Sequence, residues 1–201
     1  LTRRKAVAAR IARIDAITSG VRAMSHAVRR PVRPSVLAAV TLHEFEALDR
    51  THGQVVDQLR QLDKLVERID DEGVDDGARA LAASILAFFD TTARAHHEEE
   101  ERVVFPPLLA GDDAALVQQV QRLQQDHAWL EEDWQALRLH VAAIAEGQAW
   151  YEPEVLRQGC EVFGALYLEH IALEESLVYP ASKEQQLRDA ASAHKRAAKA
   201  N

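Results

Sequence analysis

Two stretches of this chain place a glutamate four residues after a histidine and close on an aromatic–proline pair. His96 leads to Glu100 and Phe105-Pro106, and His170 leads to Glu174 and Tyr179-Pro180. Four residues are about one helical turn, so on a helix each imidazole shares a face with its carboxylate, about 6 Å along the axis. Two further histidines, His52 and His127, stand on apolar stripes of their own. Neutral imidazoles together with carboxylates suit first-row metals, iron first, with zinc or manganese as substitutes. The single cysteine, Cys160, excludes an internal disulfide framework and any cysteine-rich zinc or iron–sulfur site.

The elements that must position these groups are helices. Glycine and proline are sparse, at 8 and 6 in 201 residues, and β-branched alternation is too weak for a barrel or sandwich. Turns are expected at 70–77, from Pro106-Pro107 through Asp113, and from Glu146 to Pro153. Between them, segments 36–70, 78–104, 113–146 and 153–178 have apolar residues stepping by three and four. The second stripe reads Leu81, Ile85, Phe88, Thr92, His96, Glu100, Val103, and the fourth Leu156, Cys160, Phe163, Tyr167, His170, Glu174, Leu177. Four helices with short connections predict an all-α, up-down-up-down four-helix bundle over 35–182.

Each stripe contains one histidine: His52, His96, His127 and His170. His43, nine residues before His52, points about 180° away from it, and His140 lies about 220° round from His127. His97 falls one residue off its stripe. In antiparallel neighbours, residues equidistant from the connecting turn lie level. The midpoints of 52 and 96, 96 and 127, and 127 and 170 fall at 74, 111.5 and 148.5, in or beside the expected turns. The four imidazoles are therefore expected in one layer of the core, with Glu100 and Glu174 one turn away.

A lone histidine on an apolar stripe is usually a hydrogen-bonded core residue. Four at one level with two buried carboxylates are different, because the carboxylates repel and lose hydration, and the stripes offer no Lys or Arg near the layer. Cations resolve that conflict. Two ferric ions with an oxo bridge, or two ferrous ions with a hydroxo bridge, leave a residual charge of only about +2 or +1 beside two carboxylates. Six protein ligands do not saturate two six-coordinate ions, so small-molecule chemistry is expected there.

The run His96-His97-Glu98-Glu99-Glu100-Glu101-Arg102-Val103-Val104-Phe105-Pro106 and its repeat, His170-Ile171-Ala172-Leu173-Glu174-Glu175-Ser176-Leu177-Val178-Tyr179-Pro180, resemble the motif of hemerythrin-like (HHE cation-binding) domains. With Asp49-Arg50-Thr51-His52 and Gln125-Asp126-His127, the pattern H…HxxxE…H…HxxxE covers about 40–180 and repeats after about 75 residues. The resemblance implies a non-haem di-iron site ligated by His52, His96, His127 and His170, with Glu100 and Glu174 bridging. Four histidines in phase, where oxygen-carrying hemerythrins use five, make it look more like the bacterial four-histidine branch. What the resemblance implies chemically is binding of, or reaction with, dioxygen, nitric oxide or peroxide, including catalase-like disproportionation. The alternative is a non-enzymatic module that stores iron or oxygen or senses redox state. Tyr167, one turn before His170, is an outer hydrogen-bond donor to the site, a neighbour of its open position, or an ordinary core tyrosine. Ferritin-like ligation fails, because its E-x-x-H marker is missing: Ala93, Gln124 and Tyr167 precede His96, His127 and His170 by three.

The net charge of −8 is unevenly spread. Residues 1–33 carry +8 and 183–201 carry +3, leaving −19 on 34–182. Such an acidic body argues against nucleic acid as its partner. Residues 1–34 are expected to form a basic amphipathic helical arm whose partner the sequence does not name, and 183–201 a short helical tail. Neither a membrane span nor a signal peptide is visible, so the expected compartment is the cytoplasm.

Overall fold

The computed structural model describes residues 36–200, with side chains over 45–198. The basic arm expected over 1–34 lies outside the described residues. Among those described, four helical rods and no strand are found. The first rod is α1, Val36–Glu72. The second is composite: α2 (Asp76–Ala87), α3 (Arg94–Glu99) and α4 (Phe105–Leu109) are joined by wider π turns at Phe88–Ala93 and Glu100–Val104. The third is α5, Ala114–Ala145, and the fourth joins α6 (Pro153–Leu173) through a π turn at Glu174–Val178 to α7 (Tyr179–Ala200). Each rod packs on the one before it, and the first also packs on the fourth, which closes an up-down-up-down bundle. No helix among the described residues is long and apolar enough to cross a membrane.

The connections follow local chemistry. Gly73 and Gly147 take φ of 76° and 71°, a left-handed conformation that costs glycine little, and they end the first and third rods. Asp75 opens the second rod by accepting from the Ala78 N–H at 2.7 Å. Asp113 opens the third by accepting from the Ala115 and Leu116 N–H groups, both at 3.1 Å.

Two expectations are corrected here, both by the π turns. Pro106 and Pro107 do not begin the turn; they sit inside α4, and only 110–113 are non-helical. The Phe105 N–H bonds to the Glu100 carbonyl, five residues back, so the ladder is already offset where proline's missing N–H falls. The inward stripe also changes phase. Phe89, Ala93 and Val104 are buried where Phe88, Thr92 and Val103 were expected, and Val178 replaces Leu177, which is 40% exposed. A wider turn advances each residue by less than about 100°, so a stripe extrapolated at α-helical pitch drifts off the core.

The core lies in two apolar blocks with a polar layer between them. One block is built around Val55, Leu62, Ile85, Phe89, Trp134 and Phe163. The other contains Phe45, Leu48, Val104, Phe105, Leu123 and Tyr179.

Candidate metal centre

All six residues expected to meet do meet. His52, His96, His127, His170, Glu100 and Glu174 are each at least 93% buried and come from all four rods. The imidazoles form two pairs, His52 with His96 and His127 with His170, each with ring centres 4.8 Å apart. Both carboxylates reach both pairs. Glu100 has Oε1 3.4 Å from His96 Nε2 and Oε2 3.4 Å from His127 Nε2. Glu174 has Oε1 3.2 Å from His170 Nε2 and Oε2 3.2 Å from His52 Nε2.

These atoms crowd together without satisfying one another. Among the described residues, the Nε2 atoms of His96, His127 and His170, Oε2 of Glu100 and both Glu174 oxygens are buried with no hydrogen-bond partner. One such atom costs about 1–3 kcal/mol, so a cluster of them is strongly unfavourable unless something else binds them. Bound metal cations would meet that demand, and the donor set suits first-row metals.

The electrostatics agree. Burial, reinforced by the charge of Glu100, pushes the Glu174 carboxyl up to about 8. Burial also works against the charge of Glu100, but His127 and the surrounding imidazoles outweigh it and hold that carboxyl below its ordinary range. The metal-free site thus keeps a proton on Glu174 rather than two adjacent negative charges. Burial lowers His96 to about 4 and His170 to about 3, leaving both neutral with lone pairs available. At His52 and His127 burial is overcome by the neighbouring Glu174 and Glu100, and both are raised.

A second ring of groups orients the first. His127 Nδ1 donates to Glu101 at 3.0 Å, and His52 Nδ1 donates to Glu175 at 3.0 Å. Each bond turns the other nitrogen inward, as carboxylate partners do for metal-binding histidines. Phe105 stacks on His127 with ring centres 5.4 Å apart, and Tyr179 stacks on His52 at 5.3 Å. The Tyr179 hydroxyl also donates to Glu100 Oε1 and lies 3.1 Å from His52 Nε2. The π turns make these contacts. On an α-helix the fifth residue after a glutamate points about 140° away, whereas the wider turn brings Phe105 and Tyr179 back onto the same face.

Sequence reasoning had quoted Glu101, Glu175 and Tyr179 as parts of a motif without giving them work. The doubled glutamate and the aromatic before each proline were their signal. It had also set His97 aside as off the stripe. His97 instead stacks on His127 with ring centres 4.1 Å apart and lies against His170 at 5.4 Å. Tyr167 meets this layer through His97, its hydroxyl 3.2 Å from Nε2. A surface groove of about 500 Å³, flanked by Arg94, Arg102 and Glu131, has His97 and His127 in its lining.

The sequence matches the family described as the hemerythrin HHE cation-binding domain over residues 43–182, well over half of the chain. The chain belongs to that family. No curated protein matches it. The hemerythrin-domain match begins in the first rod and ends in the fourth, and so contains every residue of the polar layer. The protein is thus a cation-binding helical bundle of the hemerythrin type, and its buried His/Glu clusters fit a metal site.

Proposed function

We propose that the chain is a non-haem di-iron protein that binds or reacts with dioxygen, nitric oxide or peroxide. The observation that carries this reading is that Glu100 and Glu174 each direct one oxygen to either imidazole pair. His52 and His96 would hold one ion, His127 and His170 the other, and the two carboxylates would bridge them. Bound iron supplies reversible one-electron chemistry and positions for small oxygen or nitrogen ligands.

The chain's own residues do the rest. Glu101 and Glu175 keep the Nδ1 protons of His127 and His52, so that Nε2 faces inward. Tyr179 holds Glu100 Oε1 in place. The two apolar blocks exclude bulk water from either end of the layer, and the groove beside His97 and His127 gives a small molecule a way in. Glu174, which holds a proton in the metal-free site, gives it up when cations bind.

Anaerobic iron loading, elemental analysis and visible spectroscopy with and without azide test the reading. Two irons per chain and an azide-sensitive spectrum are expected, and His127→Ala should lose both bound metal and metal-dependent melting. Oxygen evolution from added peroxide separates an enzyme from a storage or sensing module. Protein that refuses iron overturns the proposal.

A further inference from the structure

The π turn at Phe88–Ala93 stands apart from the other two. The turns at Glu100–Val104 and Glu174–Val178 match one another across the internal repeat, whereas the residues that match Phe88–Ala93 lie inside the unbroken α6. A π turn within an α-helix is frequently a functional feature. This one carries Phe89 into the core and Asp90 onto the third rod. There Asp90 accepts from the Trp134 indole N–H at 2.9 Å and from Arg138 Nε at 2.9 Å. In the other half of the repeat Leu59, Gly164 and Asp63 occupy the places of Trp134, Asp90 and Arg138. One half fills this position with a buried alkyl group, and the other adds an indole held by an ion pair.

Rings join Trp134 to the metal centre. Ring centres run from His170 to Tyr167 at 6.3 Å, from Tyr167 to Phe89 at 5.9 Å and from Phe89 to Trp134 at 4.9 Å. Tyr167 also belongs to one half only, its counterpart being Ala93. At the far end the Asp90 and Arg138 side chains are 30% and 40% exposed, so the buried indole is one hydrogen bond from solvent. Burial works against the charge of Asp90, but Arg138 and the indole N–H outweigh it and hold that carboxyl below its ordinary range.

We propose that Trp134 is an electron relay, giving single electrons to the metal centre through Phe89 and Tyr167 and recovering them from a small organic reductant at the Asp90–Arg138 surface. The inference rests on the iron reading above and gives the buried layer a route to a donor that cannot enter it. Indole is among the side chains most readily oxidised by one electron, and the Asp90 carboxylate on its N–H offsets the positive charge left behind. Peroxide at the centre takes two electrons and two protons, its O–O bond breaks, and two waters leave. Two ascorbate monoanions supply both, each losing one electron and one proton and departing as the ascorbyl radical, with the protons exchanged through solvent.

The iron-loaded full chain, mixed with hydrogen peroxide and freeze-quenched for electron paramagnetic resonance, tests the relay. Wild type should show an organic radical whose hyperfine pattern changes when its tryptophans carry deuterated indoles, and ascorbate should quench it. Trp134→Phe keeps a ring against Phe89 and should lose that radical, whereas Trp150→Phe, at an exposed indole, should keep it. Iron content and circular dichroism of both variants should match wild type. Without ascorbate, peptide mass spectrometry of wild type should find oxidation concentrated on buried Trp134 rather than on exposed Trp129 and Trp150, a readout that needs no variant. Iron-loaded protein with no tryptophan radical, or with one unaffected by W134F, overturns the relay and leaves the metal centre standing. Wild-type protein that takes up no iron overturns both.

Discussion

The Tyr179 hydroxyl donates to Glu100 across the bundle, from the fourth rod to the second. Its counterpart 74 residues earlier is Phe105, which stacks on His127 but has no hydroxyl to reach Glu174. The two carboxylates that look alike in sequence therefore differ in their surroundings. Glu100, held low by His127 and the surrounding imidazoles, also accepts from a phenol, while Glu174, raised by burial and by the charge of Glu100, has no such hydroxyl beside it. The internal repeat supplies the ligands, and its departures from symmetry make the two halves of the site unequal.

Tyr179→Phe removes that donor and changes little volume. A buried hydrogen bond to a charged group contributes about 1.5–3 kcal/mol, so metal-free Y179F should lose about that much stability in denaturant unfolding. Unchanged stability would mean that the hydroxyl does not hold Glu100.

The bundle, its turns and the six central residues were legible because they depend on periodicity and on distance from a turn. Those quantities survive moderate error. The π turns were not legible: an extra residue per turn leaves no mark in composition, and it decides that Val104 and Val178 are buried rather than Val103 and Leu177. The same phase change hid the role of Tyr179, which an α-helical projection from Glu174 turns away from the site. His97 was lost for a related reason. One residue off a stripe is about 100° on a wheel, yet a long side chain at a four-helix junction still reaches the layer.

The outer carboxylates should matter about equally. Glu101→Ala and Glu175→Ala each leave an inner histidine without the partner that fixes its orientation. Loss of such a partner typically costs about 10–100-fold in metal affinity, and competition against a chelator measures it. A variant with wild-type affinity would show that packing by Phe105 or Tyr179 alone orients the ring. The bundle itself should be little affected, because both glutamates are exposed.

Metal-free protein should be most stable near the ordinary histidine pKa of about 6.5. Below it, His96 and His170 stay neutral in the fold, with values lowered by burial to about 4 and 3, and buried His97 is also well below its ordinary value, while all three are protonated in the unfolded chain. The unfolded state then binds more protons than the folded state, even counting the proton on Glu174, so stability rises with pH toward that point. Above it the unfolded histidines are neutral, but folded Glu174 keeps its proton up to about 8, and His52 and His127 are raised too. The folded state now binds more protons, and stability falls as pH rises. Cations reverse the second half of this dependence, because they displace the protons on Glu174, His52 and His127. Loading metal at neutral pH in weak buffer should therefore release protons, measurable by pH-stat, and the loaded protein should keep its melting temperature on the alkaline side where the metal-free form loses it. Metal uptake without proton release would contradict the protonated Glu174 on which this balance depends.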